Sequence, residues 1–256
     1  MKVTKAHITR RASSDGVPAK TVERDYALAH AVSAIARSEG GRYLAFKGGT
    51  SLRFIHFEDY RYSADLDFSI VGATMKDGLS LIEAALAGND TDGPSLRLTD
   101  DDPPRIAYTG PLGRERTIKL DLADDEHVVH TERGRLLPRW PDVPLVEVLA
   151  YTSLEIASEK LRCLLQRLQC RDFFDLDVLF DRAAVDVTAA GELFKVKAKH
   201  RGFDPATFDD MYRSRVREYE KRWVKELSEH LPGSVPHFSD IERRLSRHLR
   251  AGKLLV

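Results

Sequence analysis

Apolar positions along this chain change period several times, and the changes mark its elements. Over residues 21–38 they recur every three to four positions, with Val22, Tyr26, Ala29, Val32 and Ile35 on one side. That spacing predicts a helix with Thr21 as its N-cap. Residues 1–20 carry no such period and contain Ser13, Ser14, Gly16 and Pro18, so they read as an irregular lead-in. Gly40 and Gly41 close the helix, and 43–46 is an apolar run of strand length. Gly48 and Gly49 then turn the chain, and Thr50 is placed to cap a short helix ending near residue 57. From Asp65 the period becomes two: Asp65 and Asp67 alternate with Leu66 and Phe68. A helix is predicted over 76–88, with Leu79, Ile82 and Leu86 on one face, followed by a loop rich in Asp, Gly and Pro. Strands are predicted at 95–99, 105–108 and 116–122, the last alternating Thr117, Lys119 and Asp121 with Ile118, Leu120 and Leu122.

Residues 136–149, broken by Pro138, Pro141 and Pro144, read as a connector. Beyond it the helical period takes over, at 152–168, 171–181, 187–199, 205–229 and 238–249. Strands and helices in the front half with helices alone behind predict an α+β chain. Its expected division is a sheet-containing core over 1–150 and a helical portion over 151–256.

Composition adds bounds. At 256 residues with 42% hydrophobic and 8% aromatic side chains, the chain can bury a real core and is not of the disordered class. It has no run of about 18 apolar residues, so no transmembrane helix is expected. The basic start is not followed by an apolar stretch, so no signal peptide is expected either. The only cysteines, Cys163 and Cys170, are seven apart and fit no zinc spacing; they read as thiols of one helix in a reducing cytoplasm. The net charge of zero conceals a pattern. Basic residues outnumber acidic ones 10 to 6 over 1–60 and 15 to 10 over 192–256, while acids lead 14 to 7 over 61–130. An acidic middle between basic ends suits a cation-holding centre flanked by polyanion-attracting surfaces, or ordinary variation of surface charge.

The candidate chemistry starts in that middle, at S-x-D-x-D. On extended backbone Asp65 and Asp67 point the same way with Leu66 between them, so the two carboxylates can share one hard cation such as Mg²⁺, the arrangement of a metal-dependent phosphoryl or nucleotidyl transferase. Gly48 and Gly49 allow backbone N–H groups to approach phosphate, or simply make a tight strand-to-helix turn. Arg61 can reach a triphosphate or pair with an acid, and Asp121 is a candidate third carboxylate or a solvated strand residue. On the 152–168 helix, Lys160 lies within the apolar stripe of Ile156, Leu161 and Leu164. A buried ammonium needs a partner. Asp175, fifteen residues on and on an inward face, can neutralise it, or both can complete a site with Asp65 and Asp67. The 124–127 acidic run with His127 and His130 has no second ligand pair and reads as a solvated loop. Basic residues interleaved with Tyr212, Tyr219 and Trp223 fit either nucleic-acid stacking or an aromatic inner helix face.

Four stretches in order, K-G-G-T-S-L-R at 47–53, R-Y-S-A-D-L-D-F at 61–68, E-K-L-R-C-L-L-Q-R at 159–167 and R-D-F-F-D-L at 171–176, resemble the AbiEii/AbiGii toxin family. These are nucleotidyltransferase-like toxins of bacterial toxin–antitoxin and phage-defence systems, including the mycobacterial MenT type. The resemblance implies a DNA polymerase β-like nucleotidyltransferase core, a mixed sheet with flanking helices, followed by a helical C-terminal portion. It implies a cytoplasmic enzyme that uses Mg²⁺ to add nucleotides from NTP, often pyrimidines, to the 3′ acceptor end of tRNA and so halts translation, with a cognate antitoxin as counterpart. By motif, the implied catalytic residues are Asp65, Asp67, Lys160 and Asp175. Asp65, Asp67 and Asp121 are the expected metal ligands; Gly48, Gly49, Thr50, Ser63 and Arg61 are expected at the nucleotide phosphates. The alternatives are the same fold acting as a kinase or nucleotidylating a protein or small molecule, and a non-catalytic RNA- or partner-binding module.

Overall fold

The computed structural model describes residues 2–89 and 92–256, so residues 90–91 of the expected Asp-rich loop lie outside the described residues. The chain forms two compact units. The first comprises Met1–Glu126, Thr131–Tyr151 and Glu229–Gly233; the second comprises His127–His130, Thr152–Ser228 and Ser234–Val256.

The first unit is built on a seven-stranded mixed sheet. Its strands are β1 (Leu44–Lys47), β2 (Asp65–Ile70), β3 (Ser95–Leu98), β4 (Arg105–Thr109), β5 (Glu115–Ala123), β6 (Thr131–Arg135) and β7 (Glu147–Tyr151). Their spatial order is β3-β4-β5-β2-β1-β7-β6. β2 runs antiparallel to β1 and parallel to β5. One sheet face carries Phe46, Leu66, Phe68, Ile118 and Leu120, all buried in one core with Val22, Tyr26, Ala29 and Val32. Those last four belong to helix α2 (Ala19–Arg37).

The irregular lead-in expected over 1–20 is instead helix α1 (Lys5–Asp15), which ends at Gly16 in the left-handed conformation. It escapes a periodicity reading because only Ile8 and Ala12 of its eleven residues are buried. Pro18, not Thr21, occupies the N-cap of α2, and its fixed φ suits the position just ahead of a helix. The connector expected at 136–149 ends inside β7, and β6 precedes it. β6 reads T-E-R-G-R and buries only Gly134, so it offers no apolar alternation.

His30 and His56 lie in this unit, and burial pushes both below the ordinary histidine pKa, although Asp142 and Glu132 pull the other way. The unfolded chain therefore takes up protons first as the pH falls. The stability these neutral rings contribute is present above about pH 6.5 and is lost below it, by up to about 1.4 kcal/mol per pH unit for each. Urea midpoints should drop between pH 7.5 and pH 5.5, and His30→Gln should flatten the slope; a midpoint independent of pH contradicts this.

The second unit is helical: α5 (Ser153–Gln166), α6 (Cys170–Asp181), α7 (Val187–His200), α8 (Phe208–Leu227) and α9 (Phe238–Ala251). Helices α3 (Gly48–Ser51) and α4 (Met75–Ala87) belong to the first unit. In the second, Phe173 is fully buried, with Tyr212, Tyr219, Trp223 and Phe238 around it at ring separations of 5.0–6.0 Å. The aromatics of α8 are thus core, and the stacking-platform reading of 212–225 is set aside. Cys163 and Cys170 are buried free thiols, but they sit on different helices. Among the described residues no helix is long and apolar enough to cross a membrane.

Candidate active site

The register of three neighbouring strands sets the geometry of the first unit's candidate site. Lys47 of β1 pairs with Asp67 of β2, and Asp67 pairs with Asp121 of β5. One step along the same face, Asp65 pairs with Lys119. Residues opposite one another across a ladder share a face. Lys47, Asp65, Asp67, Lys119 and Asp121 therefore occupy the face away from the core, while Leu66 and Leu120 face into it.

The turn after β1 is fitted to these carboxylates. Gly48 has φ +74°, which side chains rarely adopt, and a Cβ built on it would overlap Asp67 Oδ2. A Cβ on Gly49 would overlap the guanidinium of Arg61. Arg61 is itself buried and donates to the Tyr62 carbonyl at 3.1 Å. Thr50 does not cap a helix. It lies inside α3, with Lys47 at the N-cap, and its hydroxyl donates to the Asp65 carbonyl, fixing the turn against the start of β2. Ser63 is buried in the segment leading into β2. Gly48→Ala should therefore displace Asp67 and lower transfer by about a hundredfold or more, given how steeply rate falls with ångström-scale misplacement. Comparing kcat/KM for this variant with Gly72→Ala, a left-handed glycine with no atom near its missing Cβ, separates site displacement from backbone strain.

Two partly exposed carboxylates on one face offer oxygen ligands only, which fits a hard divalent cation that completes its shell with water and phosphate. Among the described residues no three His, Cys, Asp or Glu side chains form a group able to hold a metal. Asp121, expected as a third ligand, accepts a hydrogen bond from Lys119 at 3.1 Å. That bond, together with the charges of Asp65 and Asp67, raises the Lys119 pKa against its desolvation.

Two residues missed from sequence complete this face. Lys47 is buried with its ammonium 3.6 Å from Glu126 and over the Tyr151 ring. Glu126, read as part of a solvated loop, is thus tucked in as the counter-charge of a lysine 79 positions away. The 79-residue separation hides such a pair from any local pattern.

In the second unit, Lys160 of α5 meets two acids of α6. Its Nζ lies 2.6 Å from Asp172 and 2.8 Å from Asp175, and its side chain is only 8% exposed. Asp172 also accepts two hydrogen bonds from Arg167, at 2.7 and 3.1 Å. Burial alone would raise the Asp172 pKa, but Lys160 and Arg167 outweigh it and hold the carboxyl below its usual range. The lysine–Asp175 pairing expected from helical spacing is present; Asp172 and Arg167 join it. The arrangement is a charge cluster of two cations and two acids within one unit.

The nearby His127–His130 segment is structural. Glu155 accepts the backbone N–H groups of Val129 and His130 at 3.1 and 3.0 Å, and buried Lys197 donates to the His127 carbonyl and to Glu155.

No curated protein sequence matches the chain. Among solved structures, the fold is similar to MenT4, a nucleotidyltransferase toxin from Mycobacterium tuberculosis H37Rv, with TM-score 0.72 and 18% identity over 96% of this chain and 88% of that one. An antigenic nucleotidyltransferase-like protein from Paracoccidioides brasiliensis aligns at TM-score 0.40 and 14% identity over 68% of this chain and 88% of that one, too distantly to support any argument. The family profile of the nucleotidyl transferase AbiEii toxin of type IV toxin–antitoxin systems matches residues 30–247. The motif-bearing strands, turn and helices all fall within that span, and the chain belongs to the AbiEii family of nucleotidyltransferase toxins.

Proposed function

We propose that this toxin adds nucleotides, pyrimidines foremost, from NTP to the 3′ acceptor end of tRNA with the help of Mg²⁺, and so stops translation in the cytoplasm. Family membership supplies the coarser part: a nucleotide substrate, nucleotidyl transfer and an antitoxin counterpart. The observation that carries the site is the paired face of Asp65 and Asp67 beside a glycine turn whose missing side chain leaves room for Asp67. Asp65 and Asp67 would hold the cation, which when bound neutralises charge on the triphosphate and the leaving pyrophosphate. Backbone N–H groups of Gly48, Gly49 and Thr50, with the Ser63 hydroxyl, bind phosphate oxygens. Arg61, whose guanidinium lies against Gly49, adds a cation beside that turn for the phosphates. Lys160 contributes a cation to phosphate or to departing pyrophosphate, and Asp175 orients its ammonium.

The test is incorporation of label from each α-³²P-NTP, with Mg²⁺, into purified tRNA, followed by sequencing of tRNA 3′ ends from cells induced for the toxin. Extended 3′ ends, with CTP or UTP as the better donor, are expected. Label on protein instead, or phosphate transfer only from γ-³²P-NTP, moves the activity to protein nucleotidylation or to a kinase. No transfer to any acceptor leaves only a binding module.

A further inference from the structure

Residues 1–29 lie outside the span matched by the family profile, yet they hold residues that the profile covers. Asp25 of α2 is completely buried and accepts hydrogen bonds from Arg53 Nε, from Arg53 Nη2 at 3.3 Å and from the Trp140 indole at 3.1 Å. The same guanidinium donates to the Tyr60 carbonyl and lies over the Tyr62 ring, 3.9 Å from its centroid. Asp15, the last residue of α1, accepts the Tyr62 hydroxyl at 2.5 Å. From the other end of the chain, the His230 carbonyl accepts the Tyr62 N–H at 2.7 Å. Tyr62 immediately precedes Ser63, and Asp65 follows two residues later.

We infer that the N-terminal helices act as a brace: Asp25 through Arg53, and Asp15 through Tyr62, are positioning residues that hold 60–63 so that Ser63 meets the nucleotide phosphates and Asp65 the cation. The inference rests on the phosphate role proposed for Ser63. Beside the stacking of Tyr60 on Phe57, this segment is held by ion pairs and hydrogen bonds from Arg53, Asp15 and His230, and such bonds are directional in a way apolar packing is not. A packing role needs only the Tyr62 ring; a positioning role needs its hydroxyl. A buried arginine left without its acid destabilises strongly, so Asp25 variants confuse folding with positioning. The Asp15–Tyr62 bond, at the edge of the cluster, separates the two.

The experiment measures Kd for α,β-methylene nucleoside triphosphates with Mg²⁺, using the analogue the wild-type chain holds most tightly, alongside thermal melting. Tyr62→Phe and Asp15→Ala are each expected to weaken binding about tenfold, the loss of one charge-assisted hydrogen bond. The double variant should be no weaker than either single one, because both remove the same bond. Asp15→Asn keeps an acceptor and should restore affinity to within about twofold of wild type. Single variants that melt earlier but bind as wild type, or that add in the double, overturn the brace. Ser63→Ala tests the underlying reading separately: wild-type affinity there refutes a phosphate role for Ser63, whatever the brace variants show.

Discussion

Asp65→Asn is expected to reduce nucleotide transfer by about a thousandfold or more, roughly 4 kcal/mol of barrier, while leaving the fold intact. The asparagine keeps the shape of the side chain but removes one of the two charges offered to a hard cation. The main-chain and core contacts of β2 do not use that charge. The Asp65 carbonyl, which holds the Thr50 hydroxyl, is main chain, the pairing with Lys119 is a backbone ladder, and Leu66 and Phe68 anchor the strand in the core. Neutralising Asp65 removes a repulsion with Asp67 and an attraction to Lys119 together, so the melting temperature should stay close to the native value. Transfer assays on purified protein, melting curves and growth after induction together check the point. An Asp65→Asn chain that still labels its acceptor at the native rate, or still arrests growth, removes the paired carboxylates from the mechanism.

What the sequence disclosed follows from where the information is local. Asp65 and Asp67 could be placed on one face because a strand has period two, and Lys160 could be placed on a buried face because α5 has a strong helical stripe; each needs only its own neighbours. The family motifs added roles to those same positions. Pairings across the chain were not legible. The row Lys47, Asp67, Asp121 depends on β2 lying between β1 and β5, an order no spacing encodes. Asp25 and Arg53, 28 positions apart, and Lys47 and Glu126, 79 apart, lie too far apart for any local pattern to join them. Elements with little apolar content were missed for the same reason they exist where they do. α1 touches the core through few residues, and β6 is an edge strand with no second neighbour to demand a buried face. Periodicity reports which face is buried; it does not report by what.

Lys160→Met is expected to destabilise the helical unit by about 3–5 kcal/mol, a large share of the 5–15 kcal/mol that holds a typical domain folded. The substitution fits the volume and the apolar stripe, so the loss comes from charge. Asp175 is completely buried and loses the ammonium 2.8 Å away, whereas Asp172 keeps Arg167. The second change that should recover most of the lost stability is therefore Asp175→Asn, and Asp172→Asn should recover less. This asymmetry gives a way to divide folding from chemistry at a residue that could serve either. Lys160→Met/Asp175→Asn should unfold in urea close to the native midpoint. If Lys160 and Asp175 work on the triphosphate, that folded chain is inactive, and inactivity is the expected result. If the cluster only ties α5 to α6, restoring stability restores transfer. A Lys160→Met chain as stable as the native one would contradict the burial argument itself, because a buried carboxylate that loses an ammonium 2.8 Å away must either be neutralised or weaken the fold.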